Sequence, residues 1–255
     1  MSEDLIMRAY DYDNQDVTDW WLSEKFDGVM AIWDGNHLIS RCGNKFFAPD
    51  WFTEKFPKDF PLNGELWIGR GQFQKVVSVV KKKFPIDSEW EQVKFIIFDT
   101  PDVISPFEHR LLLCGSVSKQ SKYLGFARQI QCSDICLFEH EYQSILAKGG
   151  EGVMLHRPGS LYTYGKSKDV IKRKPKAYDE ADVIGYIPGK GKNTGKTGAL
   201  ICTWNNKTFR LGSGLTDEQR NNPPAIGAKV TFKRNGLTAG GFPRHPVFIE
   251  VRDYE

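Results

Sequence analysis

No stretch of this 255-residue chain approaches the roughly 18 consecutive apolar residues that cross a bilayer, so a membrane-spanning helix is excluded. The opening Met1-Ser2-Glu3-Asp4 has no basic leader and no apolar segment behind it, so no secretory signal is expected and a cytoplasmic location is. Cysteine is scarce and odd in number, five in all, which forms no disulfide framework and suits a reducing compartment. The closest pair, Cys132 and Cys136 with His140 four further on, lacks a fourth ligand nearby; a strand end followed by a helix start fits it better than a zinc site. Internal repeats and low-complexity tracts are absent. Charge is nearly balanced, 35 Lys and Arg against 32 Asp and Glu, and the net +3 does not by itself announce a polyanionic partner.

What remains is an ordinary globular composition, 40% hydrophobic and 26% charged, long enough for one large domain and a small one. The placement of charge is more telling than its sum. Residues 177–255 carry 11 basic against 8 acidic residues, whereas residues 1–176 carry 24 of each, so the whole excess lies in the last third. A basic run from Lys168 to Lys176, broken by Pro175 and followed by Tyr178-Asp179-Glu180, marks a boundary near 176. Beyond it, short alternating runs at Ala199–Trp204, Thr208–Leu211, Lys229–Lys233 and Val247–Val251, separated by Gly and Asn, predict a small barrel or sandwich. Before it, strand-like runs at Val29–Trp33, Leu38–Arg41, Gly64–Ile68, Lys94–Phe98 and Gly152–His156 accompany helical spacing at Gln72–Lys82 and Leu137–Lys148. Strands and helices do not alternate regularly, so an α+β fold with mostly antiparallel sheets and flanking helices is expected rather than a doubly wound parallel sheet.

The stretch Gly189 to Thr197 imitates a phosphate-binding P-loop. Lys190 stands where that motif needs its first glycine, and a strand pattern follows where a helix N-terminus is required. It is read instead as a basic loop joining two barrel strands, with Lys190, Lys192 and Lys196 available to a phosphate backbone.

The segment with most chemistry is Ser23-Glu24-Lys25-Phe26-Asp27-Gly28, a lysine and an aspartate at a glycine turn ahead of the apolar run Val29–Trp33. Alone it is a common surface turn. It is followed in order by Ser40-Arg41-Cys42-Gly43, Asn63-Gly64-Glu65-Leu66-Trp67, Phe95-Ile96-Ile97-Phe98-Asp99, Glu151-Gly152-Val153-Met154-Leu155 and Val170-Ile171-Lys172-Arg173-Lys174. Taken singly, Glu65 and Glu151 are solvated strand-end charges, Phe98 a core aromatic and Lys172-Arg173-Lys174 a charged edge strand. The residue types also suit group transfer. A lysine with a normal pKa is neutral in only about 4 molecules in 10,000 at pH 7, so a nucleophilic lysine needs cations beside it. The same cations stabilise a phosphoryl group in transfer.

As an ordered set these segments resemble the nucleotidyltransferase motifs of the ATP-dependent DNA ligases, minimal bacterial and viral type. The resemblance runs from about residue 8 to the closing Phe242-Pro243-Arg244-His245-Pro246-Val247-Phe248-Ile249-Glu250-Val251-Arg252. It implies a nucleotidyltransferase domain at 1–176 and a small all-β OB-fold domain at 177–255, together sealing 3′-hydroxyl/5′-phosphate nicks in double-stranded DNA with ATP and magnesium or manganese. By the resemblance Lys25 takes AMP, Asp27, Glu65 and Glu151 hold metal or ribose, and Phe98 stacks on adenine. Lys172 and Lys174 hold the AMP phosphate and Glu24 adjoins the nucleotide. Arg252 orients pyrophosphate, while Arg41, Arg70, Arg244 and the three loop lysines meet DNA. Two departures stand out: Met30 occupies a place where an arginine is common, and the chain stops at Asp253-Tyr254-Glu255 without a further basic residue. RNA ligases, GTP-dependent capping enzymes and a catalytically dead OB-type binder are the competing readings; a monomer with no membrane partner is expected.

Overall fold

The computed structural model describes residues 5–101, 103–175, 177–238 and 240–252, so the acidic start Met1–Asp4, Lys176 and the closing Asp253-Tyr254-Glu255 lie outside the described residues. Two compact units divide between Arg173 and Lys174. Among the described residues no helix is long and apolar enough to cross a membrane.

The first unit runs β1 (Met7–Asp11), β2 (Trp21–Glu24), β3 (Val29–Trp33), β4 (Leu38–Ile39), α1 (Asp50–Thr53), β5 (Leu62–Trp67), α2 (Phe73–Val80), α3 (Asp87–Trp90) and β6 (Lys94–Asp99). It continues with α4 (Phe107–Val117), β7 (Leu124–Phe126), β8 (Ile130–Gln131), α5 (Ile135–Ala147), β9 (Val153–His156) and β10 (Gly165–Arg173). The strands form two mixed sheets, ordered β1-β10-β9-β2-β8 and β4-β3-β5-β6-β7, in which most neighbours are antiparallel.

The period-two pattern decides the faces of the second sheet. Ala31, Trp33, Leu62, Leu66, Phe95 and Ile97 point to one side and join α2 in an apolar core with Phe52 and Trp90. Val76, Val79 and Val80 supply the helix stripe, at spacings of three and one that fall on one face. Met30, Asn63, Glu65 and Phe98 are left for the other side, where they line a cavity. Cys132 follows β8 and is buried, while Cys136 lies exposed in the first turn of α5, whose N-cap Asp134 accepts the Leu137 N–H. Among the described residues no group of three or more His, Cys, Asp and Glu side chains stands ready to hold a metal ion.

The basic run 168–174 is not a sheet edge. β10 lies between β1 and β9, so its polar residues belong to an interior strand with one face on the cavity. Helix α4 escapes the sequence pattern because Leu111-Leu112-Leu113 blurs the period, with Leu112 largely exposed. The buried stripe is Phe107, Arg110, Cys114 and Val117, with an arginine at its centre.

The second unit contains β11 (Ala177–Pro188), β12 (Thr197–Trp204), β13 (Lys207–Leu211), α6 (Asp217–Asn221), β14 (Lys229–Arg234) and β15 (Val247–Arg252). Its antiparallel order is β13-β12-β11-β14-β15, and a bridge between Ser213 and Val247 brings the two edges together, curling the sheet toward a barrel. Val183, Leu200, Leu211, Val230 and Phe232 fill the interior. The P-loop imitation joins β11 to β12 through a short 3-10 turn at Gly191–Asn193. Gly189 is required there because a side chain would meet the Asn193 carbonyl oxygen at 2.1 Å.

Candidate active site

Lys25 is placed by its backbone before its side chain. Glu24 ends β2 opposite Val153 of β9, and the Lys25 N–H donates to the Gly152 carbonyl at 2.8 Å. This pins the lysine beside the loop that carries Glu151, and Lys25 Nζ lies 2.7 Å from Glu151 Oε2. The turn to β3 brings Gly28 against β5. A Cβ there would stand 2.4 Å from the Leu66 carbonyl oxygen, and the Gly28 N–H donates to Glu65 Oε1 at 3.1 Å. The glycine of the Lys-x-Asp-Gly quartet is thus set by close approach to the strand bearing Glu65.

Glu65 is strongly perturbed. Burial pushes its pKa up to about 7, against the attraction of Lys25 and the Gly28 N–H, while Glu151 and Asp27 add repulsion. Lys25, Asp27, Glu65 and Glu151 therefore form one electrostatic group.

Glu24, Lys25, Arg41, Glu65, Phe98 and Lys172 all line a single cavity of about 460 Å³ between the two sheets of the first unit. Asp27 and Glu151 adjoin it through Glu65 and Lys25. Lys172 is 3.7 Å from Asp11 Oδ1. Lys174 is not among the lining residues and is the first residue of the second unit. Met30, in the place where an arginine was noted as common, lines the cavity as an apolar residue, and Arg8 and Lys166 bring further cations to the same wall. Arg70, exposed, grips Glu24 with two bonds, Nε to Oε1 at 2.8 Å and Nη2 to Oε2 at 2.7 Å.

In the second unit, Lys190 and Lys192 are exposed on the β11–β12 loop, and Lys196 is 3.7 Å from Asp217. The backbone of Arg244 pairs with Asn235 and Gly236. Arg252 donates to Thr231 Oγ1 at 2.9 Å and lies 3.2 Å from Glu180, both within its own unit.

The deep wall of the cavity holds residues with no role in the sequence reading. Asp99, Asn63, His156 and Tyr162 line it. Arg110, wholly buried behind them, donates to both Asp99 carboxylate oxygens and to the Ser105 and Ser160 carbonyls. His156 stacks on Phe107 at 4.3 Å and 4°, and burial lowers its pKa to about 4, which keeps it neutral. Asn63 and Asp99 stood inside recognised segments, a weak signal; Arg110, His156 and Tyr162 gave none.

A two-sheet cavity presenting a lysine among carboxylates, followed by a five-stranded barrel-like unit, defines the class of covalent nucleotidyltransferases with an OB domain. A family model described as DNA ligase OB-like domain matches residues 188–252. A DNA ligase of Haemophilus influenzae is 33% identical over 245 residues, covering 95% of this chain and 90% of its own. The solved structure of a Lig E DNA ligase, studied for DNA binding with a minimal scaffold, has a TM-score of 0.89 at 36% identity and covers 97% of this chain and 98% of that one. The Chlorella virus DNA ligase-adenylate structure shares the fold, with a TM-score of 0.55 at 21% identity over 98% of each chain. The chain belongs to the ATP-dependent DNA ligases, in their minimal Lig E type.

Proposed function

We propose that this ligase carries its chemistry on Lys25, whose Nζ attacks the α-phosphorus of ATP. A phosphoramidate bond forms, the bond to pyrophosphate breaks, and two protons leave the ammonium nitrogen for neighbouring carboxylates or water, one before the attack and one after it. The lysyl-linked AMP then passes to the 5′-phosphate of a nick, restoring Lys25, and the adjacent 3′-hydroxyl displaces AMP to close the strand. The observation that carries this reading is the convergence of Lys25, Glu65, Phe98, Lys172 and Arg41 on one cavity.

The remaining roles follow from charge and position. Phe98 offers a flat face to the base and Glu65 an oxygen to the ribose. Glu24 adjoins the nucleotide, and Lys172 neutralises the α-phosphate, with Lys174 next along the chain and Arg252 serving pyrophosphate. Arg41, exposed at the cavity wall, suits the nick 5′-phosphate. Arg70, Lys190, Lys192, Lys196 and Arg244 serve the duplex backbone, and the protein works as a monomer.

Magnesium or manganese fits the hard oxygen donors Asp27, Glu65 and Glu151. They form no ready-made cage of three, so ATP phosphate oxygens and water would complete the shell, the usual way magnesium is held. Bound there, the ion would neutralise charge on the phosphoryl group in transfer.

Intact mass after incubation with ATP and magnesium tests the reading. A single AMP adduct is expected, absent in Lys25→Ala; an adduct that persists in that variant, or that forms with GTP and not ATP, overturns it.

A further inference from the structure

Lys172 and Arg173 are neighbours on β10 that look opposite ways. Val170 and Lys172 line the cavity, whereas Ile171 joins the apolar core that holds Phe138 and Tyr142 of α5, and Arg173 follows it on that side. There the guanidinium is caged. Its Cζ stands 4.2 Å from the ring centre of Tyr142, 5.0 Å from that of Phe138 and 5.1 Å from that of Tyr12, and Nη1 donates to Glu139. Phe138, Glu139 and Tyr142 share one face of α5, and Tyr12 follows β1, so a single side chain ties the end of β10 to both. A planar cation that stacks on rings while bonding a carboxylate makes a contact that lysine does not reproduce.

The place of the cage on the strand gives it a consequence. β10 pairs with β9 from Val170 to Arg173, and the first unit ends at that residue. Strand ends fray unless something holds them, and Lys172 lies one residue from this end. Its own side chain is loosely kept, 34% exposed and 3.7 Å from Oδ1 of an exposed Asp11. Such a pair fixes little. The backbone therefore has to aim Lys172. Beyond the sheet ladder to β9, it is held by the Tyr12 N–H, which donates to the Lys172 carbonyl at 2.9 Å, and by the caged residue beside it. Tyr12 serves both, with its N–H on the strand and its ring on the guanidinium.

We propose that Arg173 is a positioning residue for the ligase reaction: its aromatic cage holds the end of β10 so that Lys172 points into the cavity at the phosphate in transfer. This rests on the proposed phosphate role of Lys172. Phosphoryl transfer is governed by the placement of charge, and a displacement of about 1 Å can cost on the order of a hundredfold in rate. The anchor of the cation therefore matters although it touches no substrate. The guanidinium itself faces α5 and is matched by Glu139, so its effect passes through Lys172.

A double-mutant cycle on the rate of lysyl-AMP formation, followed by intact mass at saturating ATP, separates positioning from general stability. Arg173→Leu, which fills the cage without the cation, should slow the rate about tenfold in the wild-type background and change it by less than about twofold in Lys172→Ala. Glu139→Gln, at a side chain 43% exposed, runs the same cycle with little threat to the fold, with about threefold expected in the wild-type background and no loss in Lys172→Ala. A wild-type rate in Arg173→Leu overturns the inference. So does an equal loss in both backgrounds, which is what a merely structural role would give. Should Arg173→Leu fail to fold, the Glu139→Gln cycle decides by the same criteria. A Lys172→Ala protein that forms the adduct at the wild-type rate removes the phosphate role of Lys172 and this inference with it; a slow Lys172→Ala protein with additive loss from Arg173→Leu removes this inference alone.

Discussion

Two ion pairs border the same cavity and differ in almost every physical respect. At the deep wall, Asp99 and the Arg110 behind it have side chains 2% and 0% exposed, four arginine hydrogen bonds, and a further bond from the Thr100 N–H to Asp99. At the reactive end, Lys25 and Glu151 are 23% and 20% exposed, and one 2.7 Å contact joins them beside two more carboxylates. A saturated buried pair has nothing left to offer a substrate. Its work is to fix α4 and the 160 loop behind the cavity wall. The half-open pair is reached by solvent, and a lysine that can exchange one anion for another is what phosphoryl chemistry needs.

The sharpest way to break this contrast is Arg110→Ala. It leaves Asp99 buried and unpaired, and the expected loss is about 3–5 kcal/mol of unfolding free energy by chemical denaturation. A loss below about 1 kcal/mol would mean that water reaches Asp99 and that the pair is no scaffold.

The reactive end was legible in the sequence and the deep wall was not, for one reason. Lys25, Asp27, Glu65, Phe98, Glu151 and Lys172 each sit in a short run whose glycines and apolar neighbours announce a strand end or turn, so the ordered set stands out. Arg110 looks like a surface residue of a helix; its burial depends on Asp99 eleven residues away and on the Ser160 carbonyl fifty away. Tyr162 and His156 likewise acquire meaning only when β9 and the loop after it pack against β5 and α4. Polarity misled as well: the alternating lysines of β10 resemble a solvated edge because one face of that interior strand looks into a polar cavity. The small barrel was easier, since each of its strands buries one face and alternates plainly.

Glu65 sharpens the comparison through pH. Its pKa in the folded protein, about 7, lies above the ordinary 4.5, so between those values the folded state holds a proton that the unfolded chain has released. The stability from this group is complete below about pH 4.5 and falls as pH rises through about 7, by up to about 3 kcal/mol. Glu65→Gln should remove that decline, so its advantage over the wild type grows from pH 5 to pH 8 in thermal unfolding. Identical slopes in the two proteins would show that Glu65 is solvated and that burial does not hold its proton.

The smallest effect is expected at the rim, where Arg70 holds Glu24. The geometry is bidentate, yet the side chains are 36% and 18% exposed, so solvent screens the pair and Arg70→Ala should cost no more than about 1 kcal/mol. Raising salt to about 1 M should shrink even that difference, because the Debye length falls to about 3 Å. On the proposed DNA role of Arg70, the N–H groups that hold Glu24 are those a DNA phosphate would require, and so weak a contact could be given up to it. If Arg70→Ala costs as much as Arg110→Ala, the rim is as fixed as the deep wall, and Arg70 cannot exchange its carboxylate for a phosphate.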